Sequence, residues 1–166
     1  MNRNINKFDA STIGEIVVIG FKEVSNEAFI SAVCNDMQKD NEVIFGRLPI
    51  DSHLTLHIYG LNITGEISNF DLDMVAQKII GYIILYDWND LNSLERAKDI
   101  VQYLYEKWTA PCLIAANVGN NDFPVSTHVF QNGISLSPSI KFTFFSQSDI
   151  DSIKDVYTAL LDKVIS

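Results

Sequence analysis

The run from Ile79 to Asp87 (IIGYIILYD) constrains this chain more than any other segment. It is apolar at odd and even positions alike, so neither face of a strand built from it can be turned to water. That is the signature of a parallel strand at the centre of a sheet, with helices packed on both sides. The rest of the chain supplies the neighbours such a strand needs. Residues 15–20 (EIVVIG) read as a second buried strand, closed by Gly20. From Val24 the apolar spacing turns helical, with Phe29, Ile30, Val33, Cys34 and Met37 on one face and Ser25 as N-cap. Residues 42–50 (EVIFGRLPI) and 53–59 (HLTLHIY) predict two strands around a turn at Asp51-Ser52. In the second, Leu54, Leu56 and Ile58 alternate with His53, Thr55, His57 and Tyr59, which gives one core face and one amphipathic face.

Beyond the central strand, Asn92 and Glu95 have capping-box spacing ahead of a helical stripe through Leu94, Ala97, Ile100, Val101, Leu104, Tyr105 and Trp108. Strands follow at 112–117 (CLIAAN) and 140–145 (IKFTFF), then a final helix at 149–165. Weaker helical patterns lie at 67–78 and 125–131, the second inside the loop-rich stretch 118–139. The order β-α-β-β-α-β-α-β-(α)-β-α is a doubly wound α/β domain: a mostly parallel six-stranded sheet, one antiparallel edge strand, and helices on both faces. Its 166 residues suffice for one such domain. Twelve basic residues against 21 acidic ones leave a charge of −9, which repels a phosphate backbone and an anionic membrane. No apolar run approaches the roughly 20 residues of a membrane span, so no membrane insertion is expected. The first residues (MNRNINKFDASTIGE) have no apolar signal core, so a cytoplasmic location is expected. Cys34 and Cys112 form no CxxC pattern and read as buried fillers.

The order of elements, with a hairpin after the first helix, resembles that of the Ras-like small GTPases. The stretch Phe45-Gly46-Arg47-Leu48-Pro49-Ile50-Asp51, followed by Leu54-Thr55-Leu56-His57-Ile58-Tyr59-Gly60, is similar to the second and third strands of their bacterial branch. That branch includes gliding-motility GTPases and the ATP/GTP-binding proteins of actinobacterial signalling operons. Gly81 to Asp87, Leu91-Asn92-Ser93 and Ser148 to Val156 resemble later segments of the same proteins. The resemblance implies a P-loop NTPase fold over residues 14–166, with residues 1–13 as an N-terminal extension.

The family's chemistry is missing where it should stand. A phosphate loop reads G-x-x-x-x-G-K-[ST]: the glycines let backbone N–H groups approach the phosphates, Lys supplies counter-charge and the hydroxyl binds Mg²⁺. Of these, only Gly20 is present; Ser25 stands for the second Gly, Asn26 for Lys and Glu27 for the hydroxyl residue. A carboxylate about 4 Å from a phosphate charge costs on the order of 4 kcal/mol at an effective dielectric of 20. After the third strand, Gly60-Leu61-Asn62-Ile63-Thr64 replaces G-T-P-G-Q, so the water-positioning Gln is absent. Only Gln38 to Glu42 remain for the first switch, without its Mg²⁺-binding Thr. The base-reading motif [NT]-K-x-D becomes Asn117-Val118-Gly119-Asn120, which keeps the first Asn and loses Lys and Asp. The resemblance therefore implies a pseudo-GTPase with no catalytic residue, no metal and no cofactor. Its vestigial pocket positions are Gly20, Ser25, Asn26, Glu27, Asn117 and Asn120. The alternative is a divergent small GTPase that retains weak GTP/GDP and Mg²⁺ binding and switch activity.

Other chemistry-bearing residues have plainer readings. Lys22 is a solvated loop lysine and Asp87 a strand-end cap. His53 and His57 are four residues apart on one strand face, roughly 13 Å, too far to share a metal. With catalysis excluded, the expected role is protein interaction in a cytoplasmic signalling or regulatory complex. The edge hairpin and vestigial switch loop supply the candidates Val43, Phe45, Tyr59, Leu61 and Ile63. Bacterial relatives work beside roadblock-type (longin-like) regulators, so the resemblance implies such a partner, another GTPase-fold subunit, or a second copy of the chain.

Overall fold

The structure, a computed structural model, describes residues 12–40, 43–67, 78–107, 109–120, 123 and 134–165. Along the chain run β1 (Thr12–Gly20), α1 (Glu23–Ser31), β2 (Asp36–Asp40), β3 (Val43–Pro49), β4 (Leu54–Asn62) and β5 (Ile79–Asp87). Then come α2 (Leu91–Lys107), β6 (Cys112–Asn117), β7 (Ile134–Ser137), β8 (Ile140–Phe145) and α3 (Ile150–Ile165). All the strands join one sheet in the order β2-β3-β4-β1-β5-β6-β8-β7. Strands β4, β1, β5, β6 and β8 are mutually parallel. The molecule is thus a mixed α/β fold built on one mostly parallel sheet.

The run that has no polar face lies where its composition demands. Strand β5 pairs with β1 on one side and β6 on the other, and Tyr82, Ile83 and Ile84 are fully buried. One face of the sheet packs Ile16, Val18, Ile58 and Ile83 against Phe29 and Ile30 of α1 and Ile153, Val156 and Leu160 of α3. The other packs Val17, Ile19, Tyr82 and Ile84 against Ala97, Ile100 and Leu104 of α2. Helices α2 and α3 bury apolar residues that recur every three or four positions, Ala97, Ile100 and Leu104 in one and Ile153, Val156 and Leu160 in the other. Tyr105, expected in the α2 stripe, is 66% exposed, and Trp108 lies outside the described residues. Close packing of α1 on the sheet depends on Gly46, where a Cβ would stand 2.8 Å from both Cys34 Sγ and Ile30 Cγ2.

The sheet differs from the expected one in number and at both edges. Among the described residues it has eight strands, not six, and both β3 and β7 run antiparallel to their neighbours. The helix predicted to reach Met37 stops at Ser31, and Met37 lies in β2. That strand reads Asp-Met-Gln-Lys-Asp and its residues are exposed or half-buried, so it carries none of the alternation that marks a strand in sequence. Charged residues on a short outer strand discourage pairing with other chains. Strand β3 is therefore an inner strand, paired with β2 from Asp36↔Arg47 to Asp40↔Val43. Strand β1 begins at Thr12, three residues ahead of the expected start at Glu15. The helices expected at 67–78 and 125–131 fall almost wholly or wholly outside the described residues. Among the described residues, no helix is long and apolar enough to cross a membrane.

Candidate functional site

Strand order creates one position where a ligand site is favoured. From β1 the chain builds outward to β2–β4, and from β5 it builds the other way to β6–β8. The connections diverge between these two adjacent parallel strands, and the crevice beyond their carboxyl ends is where open α/β sheets bind ligands. A hollow of about 140 Å³ lies there, lined by Phe21, Lys22, Ser25, Asn26, Asp87, Asp90, Ser93, Arg96 and Asn117 among others.

The wall nearest α1 does not have the shape of a phosphate loop. Only Phe21 and Lys22 separate β1 from α1, and the Asn26 N–H already donates to Lys22 O at 3.1 Å. Residues 23–27 are helical, so their backbone cannot curl into a nest of N–H groups around an anion. Lys22 occupies the N-cap without a side-chain capping bond, and Ser25, expected as the cap, lies inside the first turn. Asn26 is turned inward and 1% exposed; its Nδ2 donates to Leu61 O at 2.9 Å. A Cβ on Gly20 would overlap Asn26 Oδ1 and stand 2.8 Å from its Cγ, so Gly20 is the space into which this side chain fits.

The charges around the hollow are paired with one another. Lys22 Nζ meets Asp87 Oδ2 at 2.7 Å, and that carboxylate holds the ammonium above the ordinary lysine range. Lys39 bridges Glu23 at 2.9 Å and Glu27 at 3.0 Å, which places Glu27 outside the hollow on the α1–β2 surface. Arg96 donates to Ile63 O through Nη2, and its guanidinium lies 4.2 Å over the centre of the Phe21 ring. Asp90 caps α2: its Oδ1 accepts the N–H groups of Asn92 at 3.0 Å and Ser93 at 3.2 Å. The capping role expected of Asn92 therefore belongs to Asp90, and Asp87 faces Lys22.

Asn117 reaches the hollow from β6, but its amide is engaged locally. Its Oδ1 accepts from Gly119 N at 2.9 Å and its Nδ2 donates to Gln147 Oε1 at 3.1 Å. Gly119 has φ +66°, a conformation that favours glycine, and it sets up this turn. Asn120 accepts from Ser148 Oγ at 3.4 Å on the exposed side of the same turn. The six positions expected as a vestigial pocket divide accordingly: Ser25, Asn26 and Asn117 line the hollow, Gly20 backs it, and Glu27 and Asn120 are engaged elsewhere.

The expected interaction residues divide as well. Leu61 is 0% and Ile63 1% exposed; both belong to the core shared with α2, so neither is a surface residue. Strand alternation places Leu61 on the same face as Val17 and Ile19, whereas the sequence alone allows either side. Val43, Phe45 and Tyr59 are half-buried. The Phe45 ring packs edge-on to His57 at 5.1 Å and tilted against Tyr59 at 5.2 Å. Tyr59 donates to Glu15 Oε2 at 3.0 Å; burial first, then that carboxylate, pushes its phenol up to about 12. Burial, with the charge of Arg47, holds His57 below the ordinary histidine range. Desolvation raises the thiol of Cys34 to about 11 and that of Cys112 to about 12, so both are protonated and unreactive at neutral pH. Among the described residues, no three His, Cys, Asp or Glu side chains converge in a metal-binding group.

Sequence reasoning missed the pairing of Lys22 with Asp87 and the parts played by Asp90 and Arg96. A signal for the first did exist: Asp87 ends the central strand and Lys22 follows β1, which a doubly wound order sets side by side. A scan against protein-family models finds no match to this chain, and a search of curated proteins finds none.

Proposed function

We propose that this chain is a non-catalytic relative of the Ras-like small GTPases, kept as a protein-interaction module in a cytoplasmic signalling or regulatory complex. The observation that carries the reading is the junction of β1 and α1. Where a phosphate loop would wrap a nucleotide, the helix starts after two residues and Asn26 fills the space beside Gly20. Both cations at the hollow are engaged, Lys22 by Asp87 and Arg96 by Ile63 O and Phe21. A volume of about 140 Å³ is also well below the roughly 300–1,000 Å³ of ordinary ligand pockets. The interaction surface in this reading is the β2–β3–β4 end of the sheet. Phe45 and Tyr59, with Val43 on the same strand pair, present a half-buried patch there. A roadblock-type (longin-like) protein, a GTPase-fold subunit or a second copy of the chain is the partner this surface would take.

The competing reading, a divergent GTPase with weak nucleotide binding, draws support from the hollow's place at the strand ends. A thermal-shift assay with GDP, GTP and ATP, with and without Mg²⁺, separates the two. A ligand at a hundred times its Kd stabilises by about 2.7 kcal/mol, which for a domain of this size is roughly 5–10 °C. No shift is expected at millimolar nucleotide; a rise of several degrees that requires Mg²⁺ overturns the proposal.

A further inference from the structure

We propose that the hollow between the ends of β1 and β5 is a binding site for a small zwitterion of the α-amino acid class. The inference goes beyond the interaction reading and does not depend on it. Size gives a first guide: the hollow is open to solvent on one side, and its roughly 140 Å³ is filled by a compact molecule of about the bulk of benzene, which a cavity of about 150 Å³ holds. Glycine, alanine and serine are of that size, whereas a nucleoside phosphate is several times larger.

Charge gives a second guide. The lining carries two cations, Lys22 and Arg96, and two carboxylates, Asp87 and Asp90. A site with no net sign gives no advantage to a polyanion or a simple cation, and favours a ligand that bears one charge of each kind. Lys22 Nζ and Asp87 Oδ2, 2.7 Å apart, stand ready as the complementary pair. Their side chains are 64% and 35% exposed, and an ion pair in such a position is held weakly. A zwitterion exchanges that one bridge for two, its carboxylate on Nζ and its ammonium on the Asp87 carboxylate. Asp90 uses only Oδ1 in capping α2, and the Ser25 hydroxyl has no partner among the described residues. Leu85, Phe145 and Phe21 supply apolar wall for a small side chain.

The test is a thermal-shift and calorimetric titration of the full chain with glycine, L-alanine and L-serine. Acetate and methylammonium serve as single-charge controls, and Lys22→Met and Asp87→Asn as variants. The expected result is a rise of about 5–10 °C at a hundredfold excess over Kd for at least one amino acid. Neither control produces it, and both variants lose it while melting close to the parent. Absence of any response to the three amino acids overturns the inference. So does a response to acetate alone, which defines a plain anion site, or undiminished binding by both variants, which places the ligand elsewhere. A Mg²⁺-dependent shift with GDP or GTP instead counts against the interaction reading, so the two failures are distinguishable.

Discussion

Replacing Gly20 by alanine tests the central geometric claim about the β1–α1 junction. Gly20 lies at the end of a strand and is not in the left-handed region, where Gly119 alone is found among the described glycines. The backbone therefore accepts alanine, and reduced freedom of the unfolded chain would by itself stabilise by about 0.4–1 kcal/mol. Against that, the new methyl overlaps Asn26 Oδ1 and drives the side chain out of place. The 2.9 Å bond to Leu61 O is then lost, and a displaced amide left without its acceptor costs about 1–3 kcal/mol. Forcing Asn26 off its rotamer adds about 0.5–1.5 kcal/mol. The net expectation for Gly20→Ala is a loss of about 2–3 kcal/mol. Asn26→Ala alone loses the same hydrogen bond but also removes Oδ1, which has no partner among the described residues, so about 1–2 kcal/mol is expected. In the Asn26→Ala background the methyl at position 20 enters vacated space, and Gly20→Ala becomes neutral or slightly stabilising. The coupling energy of about 2–3 kcal/mol lies in the range for residues in direct contact. Urea unfolding of the four proteins, fitted with a common m-value, measures it. An equal cost of Gly20→Ala in both backgrounds would refute the inward placement of Asn26.

Leu61→Asp buries an unpaired carboxylate in the core against α2 and is expected to cost several kcal/mol, enough to abolish cooperative melting by circular dichroism. Phe45→Asp, at a half-buried position, is expected to lower the melting temperature by only a few degrees while eliminating self-association in light scattering or retention of a partner; a Phe45→Asp protein that assembles normally removes this patch from the interface. Combining Ser25→Gly, Asn26→Lys and Glu27→Thr is expected to give no GTP hydrolysis by phosphate release, since the switch threonine and glutamine are still absent; turnover in that protein would show the catalytic parts to be misplaced. Burial, together with Asp151 and Asp149, raises the Asp155 carboxyl above its ordinary range. Its folded pKa exceeds the unfolded one, so ionisation at neutral pH destabilises the fold and the penalty disappears as pH falls through both values. Asp155→Asn should therefore stabilise at pH 7 and have no such effect near pH 3, a difference read from melting curves at the two pH values.

The parts of this protein legible in its sequence are those governed by local periodicity. Strand β5 is apolar on both faces and can sit only inside a sheet, so its bounds and central place follow from nine consecutive residues. Helices α2 and α3 repeat a one-sided pattern over several turns, and most of the buried side of each is written in the spacing. Strand β6 is short and apolar and buries Leu113 and Ala115 on one face and Cys112 and Ala116 on the other. Strand β2 has no such pattern, because an outer strand buries little and Asp36 to Asp40 have no core face to encode. The inward turn of Asn26 was equally hidden. Its motif position records what it is not, a lysine, while its burial depends on a glycine at the end of one strand and a carbonyl at the end of another. Leu61 shows the same limit: period two assigns it to one face of β4, but only the helix laid on that face makes it core. Lys22 and Asp87 lie 65 positions apart, and their contact exists because β1 and β5 are neighbours in the sheet. Local sequence sets the elements because short-range sterics and side-chain alternation act within a few residues. The hollow is an arrangement of their ends, decided by strand order and packing.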